Sequence, residues 1–168
     1  MFNVARVFNF YKKNIVIEKR LRRNDDIVYG ARAMNAQLLL PFRKHTDDYD
    51  IYSKHPKKHA KQMEKALDRS AMGDYYYTKP ALHPGTFKVM DKGFDRRKGT
   101  HDDFGIIDFT KQTKTFKTIN KGGIRYTHLS ERVKDIKRSL NDPLSEYRHE
   151  KDKKDLYRIK QSKLWRRF

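Results

Sequence analysis

Two aspartates separated by one residue, Asp48-Tyr49-Asp50, are the strongest chemical signal in this chain. Side chains alternate along a strand, so a strand over residues 46–53 places both carboxylates on the same face. A third acid, Asp108, lies inside another apolar run. Carboxylates grouped in this way can hold divalent cations against a nucleoside triphosphate. The spacing therefore predicts that catalysis and metal binding, if present, reside at Asp48, Asp50 and Asp108.

Other interpretations of these acids stay open. Residues 47–50 can form an acidic turn that only balances Arg43 and Lys44, and Asp108 can be a surface residue of an edge strand. Zinc binding has little support, because the chain has no Cys and its His residues lack a ligand spacing. A calcium-binding EF-hand beginning at Asp48 also fits poorly, because its required ligand and glycine positions are filled by Tyr52, Ser53 and His59.

The elements around these acids follow from the spacing of apolar residues, which predicts an α+β fold, a small mixed α/β sheet flanked by helices. Gly30 turns the chain between a short strand and a helix. The predicted helices cover 2–23 (as one or two), 33–40, 56–71, 129–140 and 144–165. The predicted strands cover 27–29, 46–53, 74–78, 86–90 and 105–110, and the charged residues 91–103 are predicted to form an exposed hairpin loop.

The chain is strongly basic, with 40 Lys and Arg against 21 Asp and Glu and a net charge of +19. Such a charge attracts polyanions, so we expect nucleic acid, RNA or DNA, as a partner. Charge runs can also be ordinary solvated faces. The basic residues predicted to bind nucleic acid are Arg20, Arg22, Arg23, Arg96, Arg97, Lys98, Lys160, Lys163, Arg166 and Arg167.

Composition also bears on the compartment. The absence of cysteine excludes disulfides and thiolate zinc sites. The sequence has neither a signal peptide nor an apolar run long enough to span a membrane, so we expect an intracellular protein, cytoplasmic or carried within a virus particle. Attachment of residues 2–23 to an anionic membrane is disfavoured, because their apolar stripe is narrow and interrupted.

The order of these features resembles the polymerase-β-like nucleotidyltransferase superfamily, and within it most closely the AbiEii-like toxins. Residues 29–34 stand where that group has a Gly-Gly or Gly-Ser turn that opens a helix. Residues 44–50 match its basic-x-Ser/Thr-x-Asp-x-Asp motif, and residues 149–156 match a late Arg-x-Lys-Asp-x-x-Asp-Leu helix. The chain departs from the pattern at Ala31, which replaces the second Gly or Ser, and at His149, which replaces Arg.

The resemblance implies a nucleotidyltransferase that uses Mg²⁺ or Mn²⁺ to move a nucleoside monophosphate from a nucleoside triphosphate (NTP) to an acceptor. Asp48 and Asp50 would bind metal, and Asp108 would complete the site and help the attacking hydroxyl lose its proton. Residues expected near the nucleotide are Gly30, Ala31, Arg32, Thr46 and Lys137, with Lys134 as the substitute for Lys137. The implied parts of the chain are a basic N-terminal helical segment (1–26), a catalytic core (27–126) and basic C-terminal helices (127–168).

Two alternatives remain on the functional side. The positive charge favours RNA or DNA as acceptor, but related enzymes modify proteins, so a protein hydroxyl is a second acceptor class. The chain can also be a catalytically inactive nucleotidyltransferase fold that binds nucleic acid, together with a protein partner, as a component of a virus particle or ribonucleoprotein. The replacement by Ala31 and the net charge of +19 motivate this alternative.

Overall fold

In a computed structural model, which describes the backbone of residues 4–165 and the side chains of residues 12–163, helices alternate with short strands up to the third α-helix. Five consecutive strands and then two α-helices follow. Five α-helices occur in the described chain: α1 (Val4–Leu21), α2 (Gly30–Asn35), α3 (Pro56–Ala71), α4 (Leu129–Leu140) and α5 (Glu146–Trp165). The strands are β1 (Ile27–Tyr29), β2 (Tyr49–Ser53), β3 (Tyr76–Pro80), β4 (Thr86–Asp91), β5 (Phe104–Lys111), β6 (Thr118–Lys121) and β7 (Ile124–Thr127). The predicted α+β class is confirmed.

All seven strands form one mixed sheet in the order β3-β4-β5-β2-β1-β7-β6. The central strand β2 pairs in parallel with β5 and antiparallel with β1, which in turn pairs in parallel with β7. The parallel register sets Asp50 directly beside Asp108. Since neighbouring residues in register point to the same face, both carboxylates lie on one side of the sheet.

Alternation along β2 separates the core from the site. Tyr49, Ile51 and Ser53 are buried on the face covered by α1 and α3, whereas Asp50 and Tyr52 are half-buried on the other face. The covered face packs against the amphipathic stripe of α3 and the last turns of α1, and the core residues from these two helices are Ile17, Leu21, Ala60, Met63 and Leu67. Removing this apolar area from water is the main force that holds the helices to the sheet.

A second, smaller core joins α2 to the two C-terminal helices. It consists of Met34, Leu38, Leu129, Ile136 and Ile159. This cluster packs α4 and α5 beside the open face of the sheet, so a cleft is left between them and the strands. None of the described helices is both long and apolar enough to cross a membrane.

The structure corrects several predicted boundaries. The helix that follows Gly30 ends at Asn35 and not at Leu40, and a 3₁₀ turn covers Leu40–Phe42. Strand β2 begins at Tyr49, so Asp48 precedes the strand and does not lie within it. Strands β6 and β7 were not predicted, because each has only four residues, and β7 is stabilised by pairing with the distant β1. The helices over 56–71 and 129–140 and the exposed loop after β4 are confirmed.

Candidate active site

A cleft of about 1210 Å³ separates the open end of the sheet from α4 and α5. Its strand side carries the glycine turn and the acidic loop, and its helix side carries mostly charged residues. The lining includes Tyr29, Gly30, Ala31, Lys44, Thr46, Asp48, Asp50, Tyr52, Phe116, Arg132, Arg138, Arg148, Lys151 and Asp152. Its volume slightly exceeds the range of typical small-molecule sites, which leaves room for a nucleotide and part of an acceptor.

Asp50 is the most perturbed acid in this cleft. Burial raises the pKa of Asp50 to about 6, and repulsion from the nearby carboxylates of Asp48 and Asp108 contributes in the same direction. The positive charges of Lys151 and Lys88 act in the opposite direction without cancelling this effect. The protein therefore holds a carboxylate whose negative charge it does not fully compensate, which is typical of functional sites.

Gly30 allows Asp50 to occupy this position. The backbone of Gly30 has φ +66°, a left-handed conformation that glycine adopts without steric cost. A Cβ atom at this residue would stand 2.2 Å from Asp50 Oδ2, which is far inside van der Waals contact. Glycine is therefore needed here both for the turn and for the close approach of the carboxylate.

The two other predicted acids have partners of their own. Asp108 accepts hydrogen bonds from Lys88 Nζ through both oxygens, at 2.8 Å and 2.7 Å, across the β4–β5 pair. Asp48 is exposed in the loop before β2, and its Oδ1 accepts a hydrogen bond from Thr46 Oγ1 at 2.7 Å. The structure thus brings Asp48, Asp50 and Asp108 to one region but engages two of them with protein groups.

The donor set of this region fits a hard divalent cation. Among side chains 12–163, no three His, Cys, Asp or Glu groups converge closely enough to hold a metal ion as they stand. Even so, the acids of the region are carboxylates, the ligands that Mg²⁺ and Mn²⁺ prefer. Burial, together with repulsion from Asp48 and Asp108, raises the pKa of Asp50, and a bound cation would favour its ionised form.

A second group of aspartates lies on the helix side of the cleft and is held by basic side chains, although Asp152 Oδ2 is buried without a hydrogen-bond partner among the described residues. Asp155 accepts hydrogen bonds from Lys44 Nζ at 2.9 Å and from Arg132 Nη2 at 2.8 Å, and the same guanidinium donates to Asp152 at 2.9 Å. Although burial alone would raise the pKa of Asp155, these hydrogen bonds outweigh it and hold the pKa below 3.8. The network ties the loop that carries Asp48 to α4 and α5.

The helix wall carries charges of both signs, with Glu131, Asp135 and Asp152 among its basic side chains. Four basic side chains from α4 and α5 line this wall, namely Arg132, Arg138, Arg148 and Lys151. None of these was singled out as a site residue from the sequence. The available signal was the late helix motif, which contains Lys151 and Asp152, but only the packing of α4 against α5 shows which of its charges face the cleft.

The whole architecture is similar to a solved structure described as the polyadenylate synthase of Megavirus, with a TM-score of 0.73 and 24% identity. The match covers 91% of this chain and 32% of that chain, so this protein spans about a third of the length of the viral enzyme. No protein-family model and no curated protein matches the chain. The chain has a nucleotidyltransferase fold.

Within this nucleotidyltransferase fold, the residues predicted to contact a nucleotide are only partly brought together. Gly30, Ala31 and Thr46 line the cleft. Arg32 does not, because its guanidinium stacks on the ring of Tyr49 at 3.5 Å and donates to the Asp48 carbonyl at 2.7 Å. Its position makes it a support for the acidic loop.

The lysines predicted on α4 also lie elsewhere. Lys137 and Lys134 are exposed and do not line the cleft, and Lys134 pairs instead with Glu131 on its own helix. The apolar face of α4 is covered by α2 and α5, so positions beside that face can point away from the cleft. Arg132 and Arg138 of the same helix do line it.

Those basic residues predicted to bind nucleic acid that the structure describes are distributed over several elements of the nucleotidyltransferase fold. Arg20 contacts Gln62 of α3, and Arg22 donates to the Gly122 carbonyl in the β6–β7 turn. Arg23 is exposed at the end of α1, while Arg96, Arg97 and Lys98 lie in the exposed β4–β5 loop. Lys160 and Lys163 are exposed on α5, and Arg166 and Arg167 lie outside the described residues.

Proposed function

We propose that this protein is a metal-dependent nucleotidyltransferase that moves a nucleoside monophosphate from an NTP to an RNA acceptor. The observation that carries the proposal is the undercompensated carboxylate of Asp50, held against Gly30 beside Asp48 and Asp108. Asp48 and Asp50 line a cleft whose opposite wall carries four basic side chains beside the acids Glu131, Asp135 and Asp152. Acids beside cationic groups match the two needs of nucleotidyl transfer, which are cation binding and compensation of the triphosphate charge.

The acidic side of the cleft would hold the metal and the attacking group. Asp48 and Asp50 would bind Mg²⁺ or Mn²⁺ with Asp108 completing the site, once Thr46 and Lys88 release their hydrogen bonds. When bound, the cation would neutralise phosphate charge and lower the pKa of the acceptor hydroxyl. Asp50 and Asp108 lie side by side in the sheet, so either carboxylate can orient that hydroxyl.

The helix wall would hold the triphosphate. Arg138, Arg148 and Lys151 line the cleft and can donate charge-assisted hydrogen bonds to phosphate oxygens. Arg132 is held by Asp152 and Asp155, so its guanidinium contributes fixed positive charge at the same wall. On the strand side, Tyr52 stacks between Tyr29 and Phe116, with centroids 3.9 Å and 4.3 Å apart, and this rigid aromatic surface can border the nucleoside.

The finer parts of the proposal rest on the resemblance. We propose kinship with the AbiEii-like toxins, a catalytic core over residues 27–126 between basic helical parts (1–26 and 127–168), and action inside a cell or virus particle. RNA is chosen over DNA and protein because the chain is basic and because a polyadenylate synthase shares its fold. Ala31 lines the cleft, and we propose that its small side chain is compatible with activity.

The test is transfer of label. The purified protein is incubated with each α-³²P-labelled NTP, Mg²⁺ or Mn²⁺ and total cellular RNA, and the labelled RNA and protein are resolved on one gel. We expect labelled RNA that disappears in Asp50→Asn. The matched control is Asp25→Asn, which should keep full transfer. Asp25 is an exposed acid that precedes β1, at the end of that strand opposite to Gly30, and it pairs with Lys54. Full transfer by Asp50→Asn would overturn the assignment, and label on protein would change the acceptor class.

One observation favours the alternative of an inactive fold that binds nucleic acid. The Lys88–Asp108 ion pair already supplies a cation to the third acid of the site. Under this alternative, RNA binding in a native gel shift is unchanged by EDTA and by the Asp48/Asp50 double Asn variant, and no label is transferred from any NTP. Transfer that needs Asp50 excludes this alternative.

A further inference from the structure

A second groove, of about 790 Å³, lies at the same end of the sheet as the cleft. It is formed by α1, the end of α3, the start of β3, the loop after β4 and the first residue of β5. Three of its apolar members are exposed, with Met72 88%, Phe94 78% and Phe104 47% accessible to solvent, whereas Leu67 is buried and Tyr75 and Tyr76 are half-buried. We call this second groove, whose surface includes Met72, Tyr75, Phe94 and Phe104, the aromatic groove.

The aromatic groove is continuous with the cleft of the proposed active site. Asp47 lines both depressions. In β5, Phe104 lines the groove and the next residue, Gly105, lines the cleft. A chain molecule with its end at Asp50 can therefore pass over Asp47 and Gly105 and continue along the groove.

Positive charge accompanies the exposed rings. Arg96 lies over the ring of Tyr75 at 4.7 Å, and Lys13 lies 5.5 Å from the ring centroid of Phe104. Lys12 also lines the groove and is exposed. Two acids, Asp47 and Asp91, lie among these groups, but an oxygen of Asp91 accepts the Gly93 N–H and serves the loop.

This combination has a specific chemical meaning. Exposed rings provide stacking surfaces for bases of any identity, and neighbouring cations neutralise the phosphates between them. An apolar protein ligand does not require the cations, and a nucleic acid duplex cannot offer its bases to the rings. The net charge of +19 supplies the long-range attraction for a polyanion.

We propose that the aromatic groove binds single-stranded RNA upstream of the 3′ end that occupies the cleft. The proposal rests on the proposed function for its direction along the strand, since the acceptor hydroxyl must reach Asp50. Phe94 and Phe104 stack on bases, and Arg96 and Lys12 contact the intervening phosphates. The groove thereby selects an unpaired acceptor without selecting its sequence.

The first test measures binding without catalysis. Fluorescence anisotropy with a 5′-fluorescein, unstructured RNA of about 16 nucleotides, the upper end of common single-strand site sizes, gives the Kd in EDTA. Phe94→Ala should weaken binding about tenfold, and Phe94→Ala with Phe104→Leu by a larger factor, because each ring contributes stacking. Tyr157→Ala is the matched control, since Tyr157 is 63% exposed on α5 and lines neither depression.

Charge removal provides a second variant that leaves the rings in place. Arg96→Gln with Lys12→Gln should lower the slope of log Kd against log salt by about one to two, because each lost phosphate contact removes released counterions. Lys57→Gln with Lys79→Gln is the control, because both lysines are exposed and outside the groove. Wild-type affinity and slope in all groove variants would overturn the proposal.

Further measurements distinguish single-stranded RNA from other nucleic acids and test the groove proposal separately from the proposed function. A duplex RNA of the same length should bind without dependence on Phe94, and tighter binding of the duplex would overturn the proposal. A DNA strand that depends more strongly on Phe94 than RNA does would overturn the choice of RNA. Ring-dependent RNA binding without any nucleotidyl transfer would leave the groove standing and remove the proposed function. Nucleotidyl transfer together with RNA binding that does not depend on the rings would support the proposed function and remove the groove proposal.

Discussion

Two groups of aspartates border the same cleft from opposite walls, and the protein treats their charges differently. On the sheet side, burial and neighbouring acids raise the pKa of Asp50 to about 6. On the helix side, Lys44 and Arg132 hold the pKa of the more deeply buried Asp155 below its ordinary value. A compensated carboxylate stabilises the fold, whereas an uncompensated one destabilises it until a ligand arrives. Burial alone therefore does not identify the functional acid.

The largest effect should come from breaking the compensated group. Asp155→Asn leaves Lys44 partly buried without its counter-charge and leaves Arg132 with Asp152 as its remaining acid, so we expect a loss of about 3 kcal/mol in the free energy of unfolding at neutral pH. Urea denaturation followed by circular dichroism measures it. Glu150→Gln on the same helix is the control, because this exposed acid pairs with Lys154 at the surface and its substitution should change stability far less. Equal effects of the two substitutions would contradict the comparison.

Gly30→Ala should disturb the uncompensated group next most strongly. The new Cβ collides with Asp50 Oδ2 and the positive φ adds backbone strain, so we expect about 2 kcal/mol of destabilisation and loss of transfer. Gly122→Ala separates the two causes, because Gly122 has φ +60° with open space around it and should cost about 1 kcal/mol. In a double-mutant cycle, adding Asp50→Ala to Gly30→Ala should recover the difference in stability between Gly30→Ala and Gly122→Ala. Strict additivity would show that the carboxylate is not in contact.

Asp50→Asn should make the metal-free protein more stable while removing activity. The folded pKa of Asp50 lies above 3.8, so the folded state binds its proton more tightly, and the ionised group costs stability at pH values above about 6. After allowance for solvent screening, we expect a gain of about 1–2 kcal/mol at pH 7.5 and little gain near pH 4. Thermal unfolding in EDTA across this pH range measures the gain.

The compensated group predicts the opposite pH dependence. Asp155 has a folded pKa below its ordinary value of 3.8, so its contribution is present above that value and is lost as the pH falls further. The stability difference between the wild type and Asp155→Asn should therefore shrink in acid, while the difference for Asp50→Asn shrinks over the higher range between pH 6 and pH 4. A common pH dependence of the two variants would remove the distinction.

The smallest effect should come from Lys88→Met. The Lys88–Asp108 pair is about one third exposed, so its loss should change stability by less than about 1 kcal/mol. Removing the lysine frees Asp108 for a cation, and Mn²⁺ binding followed by electron paramagnetic resonance should strengthen about fivefold, by about 1 kcal/mol. Unchanged Mn²⁺ affinity would show that Asp108 is not part of the ion site. Lys79→Met, an exposed lysine on β3, is the control.

Local patterns in the sequence determined helices α3 and α4 and the strand side of the candidate site. Amphipathic spacing predicted α3 and α4 at their observed bounds, because burial of one helix face needs only a period of 3.6 residues. Gly30 was predicted as the turn that precedes a helix. The two-residue period predicted that Asp48 and Asp50 share one face of a strand; both line the cleft, although Asp48 precedes the strand.

Contacts between distant segments decided the rest. Pairing of β4 with β5 gives Asp108 its lysine, and packing of α4 on α5 gives Asp152 and Asp155 their arginine. The same packing turns Arg132 and Arg138 into the cleft while Lys137 stays outside it. Charge type is a property of one residue, but whether that charge is compensated depends on neighbours brought together by folding. The sequence therefore determines where acidic residues occur, whereas the tertiary structure decides which of them are compensated and which are not.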